Sequence, residues 1–489
     1  MNVQSVYKTV ELNTREYENR TSIEDRKKNS QYFTPYLIGK YMTDIITNIA
    51  FKKTIHVLEP SGGTGKLIIS FLLTIIDLNI ERVVVDIFEI DCGLIPILND
   101  GLSLVKKMYD QKEKQLIINV KCKNFLTVDI NKKYDIIIGN PPYKKIRKDA
   151  VESIKNVELV YGQPNVYGLF IGRGMNLLKE NGQLVYLVPR SIFNGKYFGK
   201  LREILYEGYS LSFIHSFESR SKVINDEILQ EIVIIKIEKR TIDNISINHS
   251  LGIEDIDMKL CFEVDKSIIW DKYSSKIRLP INSKDVALIQ KMNSLKYRLS
   301  DLEWRFKTGP VVDFRLKEYI SYEQGAGDYL PLIWCVNFGN SRISWPILKT
   351  KFPQYIAVDA PNSNLLMRGD YLLVKRFSSK EEDKCLKPNI ISSSSLNFAK
   401  FGIENHINYL RVEEQDKKYI KGLFILLNSS YYNQYFTIIN GTTQINVSDL
   451  NELPMLEKKH IENIGKTTLD IEDLGSLKCD EILYSFFGE

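Results

Sequence analysis

Only six cysteines stand among the 489 residues, and none forms a C-x-x-C pair. Cys92, Cys122, Cys261, Cys335, Cys385 and Cys479 are scattered, and no histidines lie close enough to complete a zinc site. Free thiols in a reducing cytoplasm are therefore expected, not a disulfide framework or a metal knuckle. Long apolar runs are also missing. The longest, residues 67–80, is interrupted by Ser70, Thr74, Asp77 and Asn79; it is too short to span a bilayer and reads as a buried helix. The early chain carries Glu18, Arg20, Glu24, Asp25, Arg26, Lys27 and Lys28, so no secretory signal is expected. No repeat or low-complexity tract stands out beyond residues 392–395. Charge of one sign is in slight excess, net +5 from 66 basic and 61 acidic residues. That balance is compatible with a nucleic-acid partner but does not argue for one, because binding depends on where the charge sits.

What is present is a globular composition, 44% hydrophobic and 26% charged, on a chain long enough for two or three domains. The first half alternates strand and helix patterns. Short apolar strands read at residues 55–58, 83–88, 135–138, 184–188, 212–217 and 231–237, with helices around 67–80, 167–178 and 201–206. Such alternation implies an α/β fold with a largely parallel sheet covered on both faces. Ligands of such sheets bind at the carboxyl ends of the strands. After about Lys239 the rhythm changes to alternating segments (245–249, 259–264), longer polar loops and a helix around 285–295, with Trp304, Trp334 and Trp345. A mixed α+β domain is expected there, with the division at residues 1–240 and 241–489.

Two loops fall at strand ends. Glu59-Pro60-Ser61-Gly62-Gly63-Thr64-Gly65 lies between a strand and a helix. Glycines let the backbone pass close under a ligand and leave helix N-terminal N–H groups free for a carboxylate. Gly65-Lys66 has the look of a nucleotide-triphosphate loop, but Leu67 replaces the required Ser/Thr and Pro60 stands where the first glycine should be. Glu89 closes the next strand, where an acid can accept from both hydroxyls of a ribose. Nicotinamide enzymes share this logic, so these loops alone leave the cofactor open.

The second loop, Asn140-Pro141-Pro142-Tyr143, follows a buried strand. At roughly one in twenty per position, this tetrapeptide arises by chance in about one of several hundred chains this long. The plain alternative is a proline turn that stops the strand. The chemistry gives each residue a reason. An exocyclic amine on a nucleobase is a poor nucleophile because its lone pair is delocalised into the ring. An Asn side-chain oxygen and a backbone carbonyl can accept its two N–H bonds and aim the lone pair outward. The prolines hold the Pro141 carbonyl in place, and Tyr143 supplies a flat face for a base. No metal and no covalent nucleophile are needed, and positioning provides most of the rate.

With these motifs the chain resembles the amino-methyltransferases of bacterial restriction–modification systems, strongly over residues 28–240 and loosely beyond. The motif order is similar to that of the gamma group, with its target-recognition domain C-terminal. The resemblance implies a Rossmann-like catalytic domain, S-adenosylmethionine as cofactor, and N6 of adenine in double-stranded DNA as acceptor. Gln31-Tyr32-Phe33-Thr34-Pro35 is similar to the upstream cofactor motif, which gives Tyr32, Thr34 and Pro35 a place in the cofactor wall. Glu59, Ser61, Gly62, Gly63 and Gly65 match the glycine-rich motif, and Glu89 with Ile90 the ribose end. Asn124-Phe125 stands where the family usually has Asp-Phe beside the cofactor adenine; an Asn oxygen can still accept from the adenine amine. Asn140, Pro141, Pro142 and Tyr143 match the catalytic motif, with Asn140 also beside the cofactor. Residues 165–170 and 184–191 resemble the segments that follow it. In the loop 222–226, where many relatives place a phenylalanine against the flipped base, Ile224 is the nearest candidate.

A base inside a duplex cannot reach such a pocket and must be flipped out. Lys144, Lys145, Arg147 and Lys148 follow the tetrapeptide directly and suit phosphates, although charge runs are commonly just solvated loops. In the C-terminal half, residues 372–380 and 440–447 resemble segments of target-recognition domains. Their Arg376, Lys380, Gln444 and Asn446 are fitted to phosphates and base edges, or to the domain's own hydrogen bonds. The resemblance implies a cognate restriction endonuclease as a further partner, a bacterial cytoplasmic location and no membrane. Three other readings stay open: a methyltransferase of RNA or protein glutamine amides, a fused restriction–methylation enzyme, and a DNA-binding protein with a dead catalytic fold.

Overall fold

The computed structural model describes residues 2–22, 24–26, 31–218, 231–324, 328–347, 350–378, 382, 384–394, 398–441 and 443–488. Two compact units divide them, Met1–Asn282 and Ser283–Glu489.

The first unit opens with α1 (Val3–Arg20), started by a reciprocal cap between Asn2 and Ser5, with Val6, Val10 and Thr14 buried at helical spacing. Then follow α2 (Tyr36–Asp44), β1 (Thr54–Glu59), α3 (Lys66–Ile75), β2 (Arg82–Glu89), α4 (Ile95–Gln111), β3 (Gln115–Cys122), β4 (Tyr134–Gly139), α5 (Val166–Asn176), β5 (Leu178–Pro189), α6 (Gly199–Gly208), β6 (Ser210–Phe217) and β7 (Ile232–Glu238). Helix α3 is apolar and buried on nearly every face, as expected of the 67–80 run, but it ends at Ile75 and residues 76–80 turn away from helix. The strands join one sheet in the order β3-β2-β1-β4-β5-β7-β6, which two further strands extend beyond β6. Strands β1 to β5 are parallel, and β7 runs antiparallel between β5 and β6. The order reverses direction between β1 and β4, which opens a crevice at their carboxyl ends.

The expected boundary at residue 240 needs correcting. Two further strands, β8 (Asn244–Ser250) and β9 (Leu260–Asp265), continue the same sheet, so the compact unit runs on to Asn282. A buried polar knot binds them in. His215 on β6 meets the Tyr41 hydroxyl through Nδ1 at 2.7 Å and Ser250 Oγ through Nε2 at 2.9 Å, while Asn248 donates to Tyr41 at 2.9 Å. Burial drives the His215 imidazole down to about 3, so it stays neutral there. A chain ended at residue 240 loses β8 and β9 and leaves this knot half-made. Its thermal midpoint is expected to fall by more than about 10 °C below that of a chain ended at Asn282, since orphaned buried polar groups cost roughly 1–3 kcal/mol each. Equal midpoints in calorimetry would show that the added strands are dispensable.

The cysteine expectation also changes. Cys92 and Cys122 stand 30 residues apart, yet parallel β2–β3 pairing sets Glu89 beside Cys122, and the two cysteines are bonded with Cα atoms 5.4 Å apart. The other four are free thiols.

The second unit is mixed α+β. One antiparallel sheet joins β10 (Phe306–Thr308), β15 (Ile407–Val412), β12 (Asp370–Lys375) and β13 (Pro388–Ile391). A second sheet includes β11 (Tyr329–Ile333) and β14 (Lys400–Ile403), paired in parallel, and short strands complete the set. The cores of this unit include Leu373, Ile403 and Ile407 in one cluster and Leu332, Trp334 and Ile356 in another. Among the described residues no helix is long and apolar enough to cross a membrane.

Candidate active site

The loops after β1, β2, β3 and β4 meet at the crevice and enclose a cavity of about 490 Å³. Its lining includes Tyr32, Ser61, Gly63, Glu89, Ile90, Asn124, Phe125, Asn140, Pro142 and Lys144, ten of the residues singled out from sequence. Thr34, Pro35, Glu59, Gly62, Gly65, Pro141 and Tyr143 are not part of that lining. The cavity also draws on residues given no individual role from sequence, Gln31, Phe33 and Phe170 within the quoted motifs and Asp91, Leu94 and Glu152 outside them.

The glycine loop has positions only glycine fills without strain. Gly63 and Gly65 have φ of +53° and +86°, and a Cβ on Gly62 would come within 2.6 Å of Ile87. Glu89 is almost buried, its carboxylate accepting from Gly63 N–H at 2.7 Å and Asp91 N–H at 2.8 Å. Burial raises its affinity for a proton, and the backbone donors oppose that. Tyr17 and Gln31 donate to Asp91 Oδ2 at 3.3 and 2.9 Å, so α1 and the segment before α2 pack over the same rim. Glu59 lies deeper. Wholly buried, with Oε2 unpartnered, it is held well above the usual carboxylate range by burial and then by Glu89.

Asn124 differs from expectation in detail. Its Oδ1 already accepts from Leu126 N–H at 3.0 Å, while its amide donates to Glu152 Oε1 at 2.8 Å. A carboxylate from the short helix after the tetrapeptide thus reaches the place where the sequence has lost one. No local signal marked Glu152, because the pairing spans 28 residues.

At the end of β4 the Asn140 amide is held from both sides. Nδ2 donates to the Tyr32 carbonyl and to Thr34 Oγ1, each at 3.2 Å. Oδ1 accepts from the Tyr143 hydroxyl at 2.6 Å, which also lies 3.1 Å from the Leu187 carbonyl. These contacts assign the amide's orientation, and they give Thr34 a partner in the tetrapeptide. Burial pushes the Tyr143 phenol well above its usual range, so it remains a donor. Its ring is near-parallel to Tyr32 (21°, centroids 6.3 Å) and edge-on to Tyr167 at 6.0 Å.

Of the basic run, Lys144 lines the cavity and Lys145 and Lys148 are exposed, but Arg147 is tied to Asp149 by two bonds of 2.6 and 2.9 Å. In the second unit, Ile445 N–H bonds the Arg376 carbonyl at 2.7 Å and Ser378 N–H bonds the Thr443 carbonyl at 3.0 Å, so the 372–380 and 440–447 segments are neighbours. Asn446 is exposed and donates to Asp449 at 3.0 Å. Gln444 is half-buried. Ile224 and Lys380 lie outside the described residues.

The sheet, its reversal and the four convergent loops define an α/β fold of the Rossmann-like methyltransferase class. Residues 79–223 match the model of the Eco57I restriction-modification methylase family. Over 477 residues the chain is 30% identical to the type II methyltransferase M.BsuBI of Bacillus subtilis, covering 94% of each chain. It is 29% identical to M.PstI of Providencia stuartii over 474 residues, 94% of this chain and 92% of the relative. Among solved structures, the type IIL restriction-modification enzyme MmeI in complex with DNA is similar in fold, with a TM-score of 0.55 at 14% identity, over 95% of this chain and 73% of that one. The chain belongs to the Eco57I-like restriction-modification methylase family, beside these type II methyltransferases. Its cofactor is S-adenosylmethionine. The cavity fits that molecule: its volume is that of a cofactor pocket, with a carboxylate at Glu89, backbone free of side chains at Gly63, and apolar faces at Ile90, Phe125 and Phe170.

Proposed function

We propose that this chain is a site-specific DNA methyltransferase of the gamma arrangement, methylating N6 of an adenine flipped out of double-stranded DNA. The observation that carries this reading is the clamped amide of Asn140, set at the β4 edge of the cofactor cavity with its oxygen toward Tyr143. Bound S-adenosylmethionine supplies an electrophilic methyl group. The protein's own part is to present the amine. The Tyr143 hydroxyl has one proton and two acceptors in reach. Turning it from Asn140 Oδ1 to the Leu187 carbonyl frees the Asn140 oxygen for one N–H of the target, and the Pro141 carbonyl takes the other. The Tyr143 face then stacks on the base.

Tyr32, Ser61, Gly63, Glu89, Ile90 and Phe125 line the cofactor's place, with Thr34, Pro35, Glu59, Gly62 and Gly65 shaping it from behind. Glu89 takes the ribose hydroxyls. Glu152, held by Asn124, supplies the adenine-side acid that Asn124 itself lacks. Lys144, Lys145 and Lys148 reach DNA phosphates near the cavity mouth, and the unit from Ser283 onward, with Arg376, Gln444 and Asn446, recognises the target sequence. A cognate restriction endonuclease of the same specificity is its expected partner, and the bacterial cytoplasm its place.

M.BsuBI and M.PstI are named as type II methyltransferases, which supports DNA over RNA or protein glutamine as the substrate. Adenine is favoured over cytosine by the tetrapeptide's resemblance, since cytosine enzymes more often carry Ser at its first position. Nucleoside mass spectrometry of duplex DNA treated with the purified protein should show N6-methyladenine. N4-methylcytosine as the sole product would overturn the choice of base and leave the reaction class standing.

A further inference from the structure

A second constellation lies in the C-terminal unit, on a segment that no motif marked. Between β14 and β15 the chain turns through Glu404, Asn405 and His406. Glu404 is completely buried, with both carboxylate oxygens spent on one neighbour: Oε1 meets His406 Nδ1 at 2.5 Å and Oε2 accepts from His406 N–H at 2.9 Å. The imidazole is exposed, so its Nε2 edge faces outward. Phe377, itself 43% exposed, packs its ring 5.4 Å from that imidazole, and the Arg376 guanidinium sits 5.8 Å over the Phe377 ring. Arg376 N–H bonds the His406 carbonyl at 2.7 Å, and Phe377 bridges to Gln444. Three segments distant in sequence therefore build one surface of a half-buried cation, which also donates to the Asn405 carbonyl at 3.2 Å, an exposed aromatic face and an immobilised imidazole.

The buried carboxylate is what needs a reason. Glu404 sits between Ile403 and Ile407 of an apolar core, where an ionised group is costly unless fully partnered. A turn cap alone would need only one oxygen and no imidazole. Held at Nδ1, the ring presents a single nitrogen in a fixed direction. Phosphates are contacted well by mobile lysines and arginines, whereas a base edge rewards a polar group whose direction is set beforehand.

We infer that His406, oriented by Glu404 and flanked by Phe377 and Arg376, reads a base edge in the DNA groove and sets the identity of one position in the recognised sequence. This rests on the reading of the C-terminal unit as the DNA-recognising part. The test is single-molecule sequencing, scored for modified bases, of chromosomal DNA from cells expressing the full chain or its His406→Ala variant. Purified proteins are then compared on duplexes that differ at one base pair. The expected result is a methylated motif relaxed at one position, with discrimination there reduced about 10- to 100-fold. The other positions and S-adenosylmethionine affinity should be unchanged, because His406 is not part of the cofactor cavity's lining, whereas the thermal midpoint should fall, since losing the imidazole leaves the buried Glu404 Oε1 without its partner. Glu404→Gln should relax the same position more weakly, since it acts only through the ring. A motif unchanged in His406→Ala overturns the inference. So does weakening uniform across sequences with a shallower salt dependence, which would mark a phosphate contact. Wild-type protein that leaves DNA unmodified would instead overturn the underlying DNA reading, and this inference with it.

Discussion

Asn140→Ala is expected to lower kcat by about 10²–10³-fold, the loss that follows removal of one preorganised hydrogen-bonding group aimed at developing charge. S-adenosylmethionine affinity should change by less than about fivefold, because the lost oxygen acts on the amine in the transition state and not on the bound cofactor. The contrast with Asn140→Asp is informative. The wild-type Nδ2 donates to the Tyr32 carbonyl and Thr34 Oγ1. An ionised aspartate would set an acceptor against the Tyr32 carbonyl and so lose its orientation, although it keeps an oxygen for the substrate. Its kcat is expected to lie nearer to Ala than to wild type. Single-turnover methyl transfer to duplex DNA measures both variants, with calorimetry for cofactor binding. An Asn140→Ala protein that transfers methyl groups at near wild-type rate would end the proposed mechanism.

How far the sequence revealed this site depends on the range of each signal. The catalytic tetrapeptide and the glycine loop are contiguous, and their chemistry can be read from four to seven neighbours. The buried strands announced themselves too: β4 was expected at 135–138 and spans Tyr134–Gly139. Helix α1 was not foreseen, because its three buried residues sit on an otherwise polar, charged helix. The boundary at 240 misled because β8 and β9, at the end of the sheet, interleave polar and apolar residues, unlike the nearly continuous apolar runs of β2 and β4. Nothing local in Asn248 or His215 tells that they meet Tyr41, more than 170 residues away for each partner. The same limit hid Glu152 behind Asn124, and Glu404 beneath His406. Each is an ordinary acid in sequence and becomes informative only through the partner the fold gives it.

Glu89 should govern cofactor affinity more than any other single side chain. Its two oxygens accept from Gly63 and Asp91 N–H, so the carboxylate is fixed before a ribose arrives, and the residue lines the cavity. Two hydroxyl bonds to a charged acceptor contribute roughly 1.5–3 kcal/mol each. Glu89→Ala is thus expected to raise the Kd for S-adenosylmethionine by at least about 100-fold. Glutamine is nearly the same shape but is not a mild change here. Its NH₂ must face one of the two backbone donors, so the side chain either turns away from the ribose or leaves an N–H unpaired. Glu89→Gln should therefore lose at least about tenfold in affinity, from one broken bond of that size. Both should bind DNA normally and recover much of their kcat at saturating cofactor, because Glu89 touches neither the tetrapeptide nor the target base. Titration calorimetry on the full chain gives the Kd values. A Glu89→Ala protein with affinity within threefold of wild type would remove this carboxylate from the cofactor site, and with it the assignment of the β2 end as the ribose position.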